Sequence, residues 1–266
     1  MPELRDIRYS RQACIAAVHD YYQFLTKMYL DESVVAEAPP GGWPAIDVLR
    51  DMDKTSEVLE LLRHLPYIRR EFEDTDPEGS PRTHFADWPA LASLVADGEE
   101  DCDDLRLVTE GEELCEILPP HVFSLTNGDG AELFLVDTKL GIILWHQCPD
   151  EIKFNPSREP VFDDPYDYLE GDEEQAGWRG DSRAWSIPDF FEILKDQFRE
   201  LNYVPISSRT VKDATKGDNE MLELVRGIYR EHGWPDLDCY RKRECLKAVK
   251  EALKERYPGE EGSDVE

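Results

Sequence analysis

Six histidines, at 19, 64, 84, 121, 146 and 232, and six cysteines, at 14, 102, 115, 148, 239 and 245, are the side chains best suited to metal binding or nucleophilic chemistry. Their spacing assigns them to neither. Zinc sites draw on pairs such as Cys-x-x-Cys, which set two ligands on one turn, and no cysteine pair has that spacing. No His-Glu-x-x-His helix motif is present either. His146 and Cys148 flank a single residue, so they could share one side of a strand end. Two further ligands from elsewhere would be needed to complete a metal site there. The run from Asn127 to Glu132 resembles the opening of a calcium loop, but Ala131 stands where an oxygen ligand belongs and the distant glutamate is missing. There is no Gly-x-Ser-x-Gly elbow, no phosphate-binding loop and no Gly-x-Gly-x-x-Gly turn. With 59 acidic residues some carboxylates approach one another by chance, so acid–base work would require a cleft that shifts their pKa. The sequence thus offers no catalytic, cofactor-binding or metal-ligating set. His146, Asp137 and Asp150 are the polar side chains that an enzyme would have to gather.

The remaining chemistry is charge. Lys and Arg number 30 against 59 Asp and Glu, a formal net charge of −29. Nucleic-acid binding rests on neutralising phosphates with Lys and Arg, so this composition disfavours it. Anionic membrane surfaces are disfavoured for the same reason. A basic protein partner, or plain solubility, is the consequence expected. Between Glu159 and Glu174 lie eight acidic residues and no Lys or Arg, with Phe162, Tyr166 and Tyr168 interleaved. Long segments without structure of their own are commonly functional. Aromatics among acids could grip a basic partner, which makes Phe162, Asp163, Asp164, Tyr166, Asp167, Tyr168, Glu173 and Glu174 the candidate binding residues. The alternative is an ordered surface flap whose aromatics pack on the core. The scattered cysteines suit reduced thiols of an intracellular protein. The first residues carry no apolar run of a secretory signal, and no stretch approaches the ~18 apolar residues of a membrane span. A cytoplasmic location is expected, with Arg241-Lys242-Arg243 a weak nuclear-import signal.

The elements that must position this segment follow from periodicity. Residues 7–30 predict a helix, with Cys14, Val18, Tyr21, Leu25 and Met28 on one face at alternating steps of four and three. Pro39, Pro40, Gly41 and Gly42 break the chain. Trp43-Pro44 opens a second helical piece with Ile46, Leu49 and Met52 inward, and a third runs from Val58 to His64. Residues 71–104 predict mostly loop, with a short helix at 88–95. The acidic run 97–104 predicts a solvated loop, because like charges resist common burial. Residues 118–148 predict a three-stranded antiparallel meander. Its first strand should be exposed on one side and its next two, 133–136 and 142–145, covered on both. Asn127 to Gly130 supply its first turn. Residues 149–183 predict a long loop. Ser186-Ile-Pro-Asp189 predicts a capping box before a helix that buries Ile187, Phe191, Leu194, Phe198 and Leu201. Residues 206–219 suggest a linker, 220–257 a helical pair, and 258–266 a disordered tail. The second helix of that pair carries seven basic against three acidic residues between 241 and 256, and should dock on an acidic patch of the same molecule.

Across residues 43–205, the chain resembles the SUKH superfamily, and within it the fungal cell-wall-synthesis regulators. The features that carry this are Leu118-Pro119, the Asn127-Gly128 turn, the apolar strands to Trp145 and the helix Ser186–Leu194. The acidic segment 159–174 is additional to that pattern. The resemblance implies an α+β domain that binds other proteins, with no shared catalytic residues and no cofactor. Scaffolding in cell-wall and stress signalling, and toxin neutralisation in bacterial relatives, are the roles it implies. The expected architecture is therefore a small antiparallel sheet packed by helices, over residues 43–205. The helix and Pro/Gly break of 1–42 precede it and the C-terminal helices follow. The expected function is a non-enzymatic, regulatory interaction module with a basic protein partner. The other readings are an enzyme with a pocket near the meander and an acidic neutraliser of a nuclease-like partner.

Overall fold

Ser10 starts the first helix, α1 (Arg11–Met28), its hydroxyl accepting the Ala13 N–H. The face predicted from its spacing is the face it buries: Cys14, Val18, Tyr21, Leu25 and Met28 are all inside. The chain is described by a computed structural model covering residues 2–70, 76–127, 132–168, 173–217 and 219–260. After α1, the short strand β1 (Val35–Ala36) precedes a 3-10 turn at Pro44–Asp51 that buries Ile46 and Leu49. Helix α2 (Ser56–His64) is capped by Thr55 and followed by β2 (Tyr67–Ile68), which pairs antiparallel with β1. Helix α3 (Trp88–Ala96) is capped by Asp87.

The acidic run 97–104 is not wholly a solvated loop, because its second half starts helix α4 (Cys102–Glu110). Asp101 accepts the N–H groups of Asp103 and Asp104, and Asp104 accepts that of Asp101. A reciprocal box of this kind satisfies free amides and places negative charge where the helix dipole favours it.

The central sheet is antiparallel, in the order β3 (Val122–Ser124), β4 (Leu133–Asp137), β5 (Ile142–His146) and β6 (Ser182–Ser186). The expected meander is present, extended by a fourth strand. Its first strand is buried on both sides, against expectation. Ser124 and Thr126 tolerate burial because their hydroxyls donate to the carbonyls of Thr126 (2.8 Å) and Glu132 (2.9 Å). The Gly128–Gly130 part of the predicted turn lies outside the described residues. The β4–β5 turn is held by Asp137, whose Oδ1 accepts the N–H groups of Lys139 and Leu140, both at 2.9 Å. Gly141 closes it at φ +76°, where a Cβ would meet the Tyr9 nitrogen at 2.6 Å.

The segment 149–183 is not one loop. It holds α5 (Asp150–Phe154), a 3-10 turn at Pro165–Tyr168, α6 (Glu173–Gly180) and the start of β6. Ser186 then caps α7 (Ile187–Arg199), which buries the predicted Ile187, Phe191, Leu194 and Phe198, while Leu201 is buried just beyond its end. Residues 206–219, expected as a linker, contain β8 (Val211–Asp213), paired antiparallel with β7 (Tyr203–Pro205). Helices α8 (Glu220–Glu231) and α9 (Lys242–Arg256) follow, and residues 261–266 of the expected disordered tail lie outside the described residues.

Side chains of β4 and β5 alternate between two apolar clusters. Phe134, Val136, Ile143 and Trp145 join the larger one, which runs from Cys14 on α1 to Leu253 on α9. Leu135, Ile142 and Leu144 join a smaller cluster with Leu114, Val161 and Trp178. The start of the basic helix α9 meets both carbonyl groups and two acidic residues, Asp31 and Glu32, whose charges favour that of Lys242. Lys242 Nζ donates to the carbonyls of Thr26 (2.7 Å) and Leu30 (2.6 Å), at the C-terminal end of α1, where a helix dipole favours a cation. Among the described residues, no helix is long and apolar enough to cross a membrane.

Candidate functional site: the acidic flap

Residues 159–168 lie against the edge strand of the sheet. Val161 N–H donates to the Ala184 carbonyl on β6 at 2.8 Å, so the segment runs beside the strand edge that β5 leaves open. Asp164 shapes the turn that follows. Its carboxylate accepts the Tyr166 N–H and its carbonyl the Asp167 N–H, each at 3.0 Å.

One arginine fastens this flap from beneath. Arg179, on α6, is 3% exposed. Its Nη2 donates to Asp137 Oδ2 at 2.7 Å and its Nη1 to Asp163 Oδ2 at 2.8 Å. The Tyr168 hydroxyl donates to the other oxygen of Asp163 at 2.8 Å. The guanidinium also lies 4.6 Å from the ring centre of Tyr168 and 4.5 Å from that of Trp178. Burial opposes its charge, but the hydrogen bond and proximity of Asp137, with Asp163 beside it, keep its pKa above the usual arginine value. Burial of Tyr168 likewise raises its phenol pKa. Asp137 thus serves two elements, turning β4 into β5 with one oxygen and holding the flap's arginine with the other.

The eight candidate residues divide into two groups. Asp163 and Tyr168 face inward and belong to the fastening. Phe162 (56% exposed) and Tyr166 (77% exposed) face solvent. Asp167, Glu173 and Glu174 are exposed, Asp164 is half-buried, and none of these four forms an ion pair with a described residue. Carboxylates elsewhere are often neutralised: Glu57 by Arg11, Asp47 by Arg63, Glu192 by Arg199. The flap therefore shows aromatic rings and unpaired negative charge on an ordered support. Its aromatics neither all pack inward nor all face out. Sequence reasoning misses Arg179, although a signal exists: it is the first base after Arg158 across the whole acidic segment.

The polar residues that an enzyme would gather are not brought to one place. Asp137 pairs with Ile142 and His146 with Leu133, so they occupy opposite ends of adjacent strands. His146 Nδ1 lies 3.3 Å from the Ser182 hydroxyl, and burial lowers its pKa. Asp150 is exposed in the first turn of α5. A different histidine faces Asp137: His121 Nε2 stands 3.8 Å from its Oδ2, and burial lowers its pKa. Lys54 and Glu110 form a fully buried ion pair, with Lys54 also donating to the Val122 carbonyl at 2.8 Å. Burial lowers the lysine pKa and raises that of the glutamate. This pair ties α4 to β3 and reaches no solvent. Three surface concavities of about 590, 410 and 300 Å³ are lined by none of His121, Asp137, His146 or Asp150. No group of three or more His, Cys, Asp or Glu among the described residues could hold a metal ion.

Fold and flap together define an α+β protein with a small antiparallel sheet and an ion-paired surface segment. No family model, curated protein or solved structure matches the chain.

Proposed function

We propose that this protein is a non-enzymatic interaction module, intracellular and regulatory, whose flap binds a basic segment of a protein partner. The observation that carries the reading is the outer face of the flap. Two solvent-facing aromatics and the carboxylates of Asp164 and Asp167 sit on a turn fastened by a buried arginine, and Glu173 and Glu174 start the helix that carries that arginine; none of the four carboxylates has an ion-pair partner among the described residues. Exposed aromatics supply contact area at low entropic loss and are enriched where proteins bind one another. Unpaired charge steers a partner of opposite sign. The resemblance of residues 43–205 to the SUKH superfamily supports the same reading, and scaffolding in cell-wall or stress signalling is the role it suggests.

The test is affinity capture from the cells that express the protein, at low and moderate salt. The intact chain is compared with Asp164→Asn/Asp167→Asn/Glu173→Gln/Glu174→Gln. Asp163 is left in place because Arg179 depends on it. A stoichiometric basic partner held by the intact chain, weakened by salt and lost in the variant, is the expected result. A partner retained equally by both chains and insensitive to salt would refute the flap as its site.

A further inference from the structure

The same flap constrains which basic residue it receives. We propose that its outer face binds an arginine of the partner in preference to lysine; this rests on the flap being the partner site. On its inner side the flap already solves this problem once. Arg179 donates to the carboxylates of Asp137 and Asp163 and lies over the rings of Tyr168 and Trp178, 4.6 and 4.5 Å from their centres. Elsewhere Arg69 lies 5.7 Å from the Trp43 ring centre, and Phe24 has Arg199 at 5.4 Å with Lys195 Nζ farther off at 6.0 Å.

The outer face carries the same two ingredients without the guanidinium. Phe162 and Tyr166 expose their rings, and Asp164 and Asp167 stand beside Tyr166 in sequence. Glu173 and Glu174 add negative charge in the first turn of α6. An ammonium group gains mainly from that charge, because it is compact and strongly hydrated. A guanidinium gains more, because it is planar, less strongly hydrated and donates through a fork that fits a carboxylate while its face rests on a ring. The occupant that fits is a flexible arginine-bearing segment rather than a lysine tract.

The experiment is a fluorescence-anisotropy titration of the full chain at low salt. The probes are a labelled Arg-Gly repeat peptide and a Lys-Gly peptide of equal length. The arginine peptide is expected to bind about fivefold tighter, the ratio given by ~1 kcal/mol of ring contact. Phe162→Ala/Tyr166→Ala should erase that ratio, while Glu173→Gln/Glu174→Gln should weaken both peptides alike and preserve it. Equal affinity of the two peptides for the intact chain, or a ratio unchanged without the two rings, would overturn the arginine assignment and leave the flap as a site for basic partners. Failure of both peptides to bind would overturn both.

Discussion

The two faces of the central sheet are made by the same strands and closed in different ways. On one face Phe134, Trp145 and Phe190 meet edge to face, with Phe134 4.9 Å from Phe190 and 5.0 Å from Trp145 between ring centres. Phe191 and Tyr21 continue that layer towards α1, 5.3 Å apart. Rings and aliphatic side chains make up this layer. On the other face a smaller, mostly aliphatic cluster that includes Trp178 is finished by an ion-paired lid, with Arg179 between Asp137 and Asp163. Aromatic packing is non-directional over much of its energy and makes a stable interior. A buried ion pair adds little net stability but fixes one geometry, because each partner left alone is penalised. The difference teaches where recognition can sit. The dry face holds the fold together, and the ion-paired face presents outer residues of which only Asp164, the acceptor of the Tyr166 N–H, shapes the local turn.

The largest effect should come from the dry face. Phe134→Ala should lower unfolding free energy by about 4 kcal/mol, since the ring is fully buried among other rings. Urea denaturation measures this, and a loss under ~1 kcal/mol would show that the aromatic layer is not the source of stability.

Next comes the fastening. Arg179→Ala leaves Asp137 and Asp163 without their cation and should cost about 3 kcal/mol. It should also open 159–168 to limited proteolysis. Adding Asp163→Asn should recover part of the loss, because one stranded charge is then removed. Equal stability of the two variants would mean that the arginine acts through packing on Tyr168 and Trp178 alone.

A buried carboxylate without such a cation sharpens the contrast. Glu132 Oε2 is shielded from solvent and has no hydrogen-bond partner among the described residues. Burial pushes its pKa up to about 8, from an ordinary 4.5. Between those values the unfolded chain has released this proton while the folded chain keeps it. Stability therefore falls as pH rises through that window and levels off above it. Glu132→Gln removes the slope. It should stabilise the protein near pH 9 and leave it unchanged near pH 4. Parallel stability–pH curves for the two proteins would contradict the assignment.

The smallest effect on stability belongs to the outer face. Phe162→Ala/Tyr166→Ala should shift unfolding by no more than about 0.5 kcal/mol, as exposed side chains do.

Periodicity makes the dry face legible in the sequence. The α1 and α7 stripes fall where spacing places them, and the apolar strands 133–136 and 142–145 are central. Repeats of four and three, or unbroken apolar runs, report burial directly. The ion-paired face is less legible. Asp137–Arg179 spans 42 residues, and no local pattern encodes a contact of that separation. The acidic segment is visible as composition, but its division into inward Asp163 and Tyr168 and outward Phe162 and Tyr166 depends on which carboxylate the arginine reaches. Burial of β3 on its polar side depends likewise on hydrogen bonds to the backbone at Thr126 and Glu132. Helix α4 is hidden because acidic residues serve equally in loops and in N-terminal caps.

The account turns on the outer flap being a binding surface that the fold does not need. The direct measurement pairs two readings on Asp164→Asn/Asp167→Asn/Glu173→Gln/Glu174→Gln and the intact chain: the urea midpoint, and capture of a partner at low salt. The account predicts closely similar midpoints, with a basic partner captured by the intact chain alone. A variant that keeps its partner, or that loses it only by unfolding, would contradict the account.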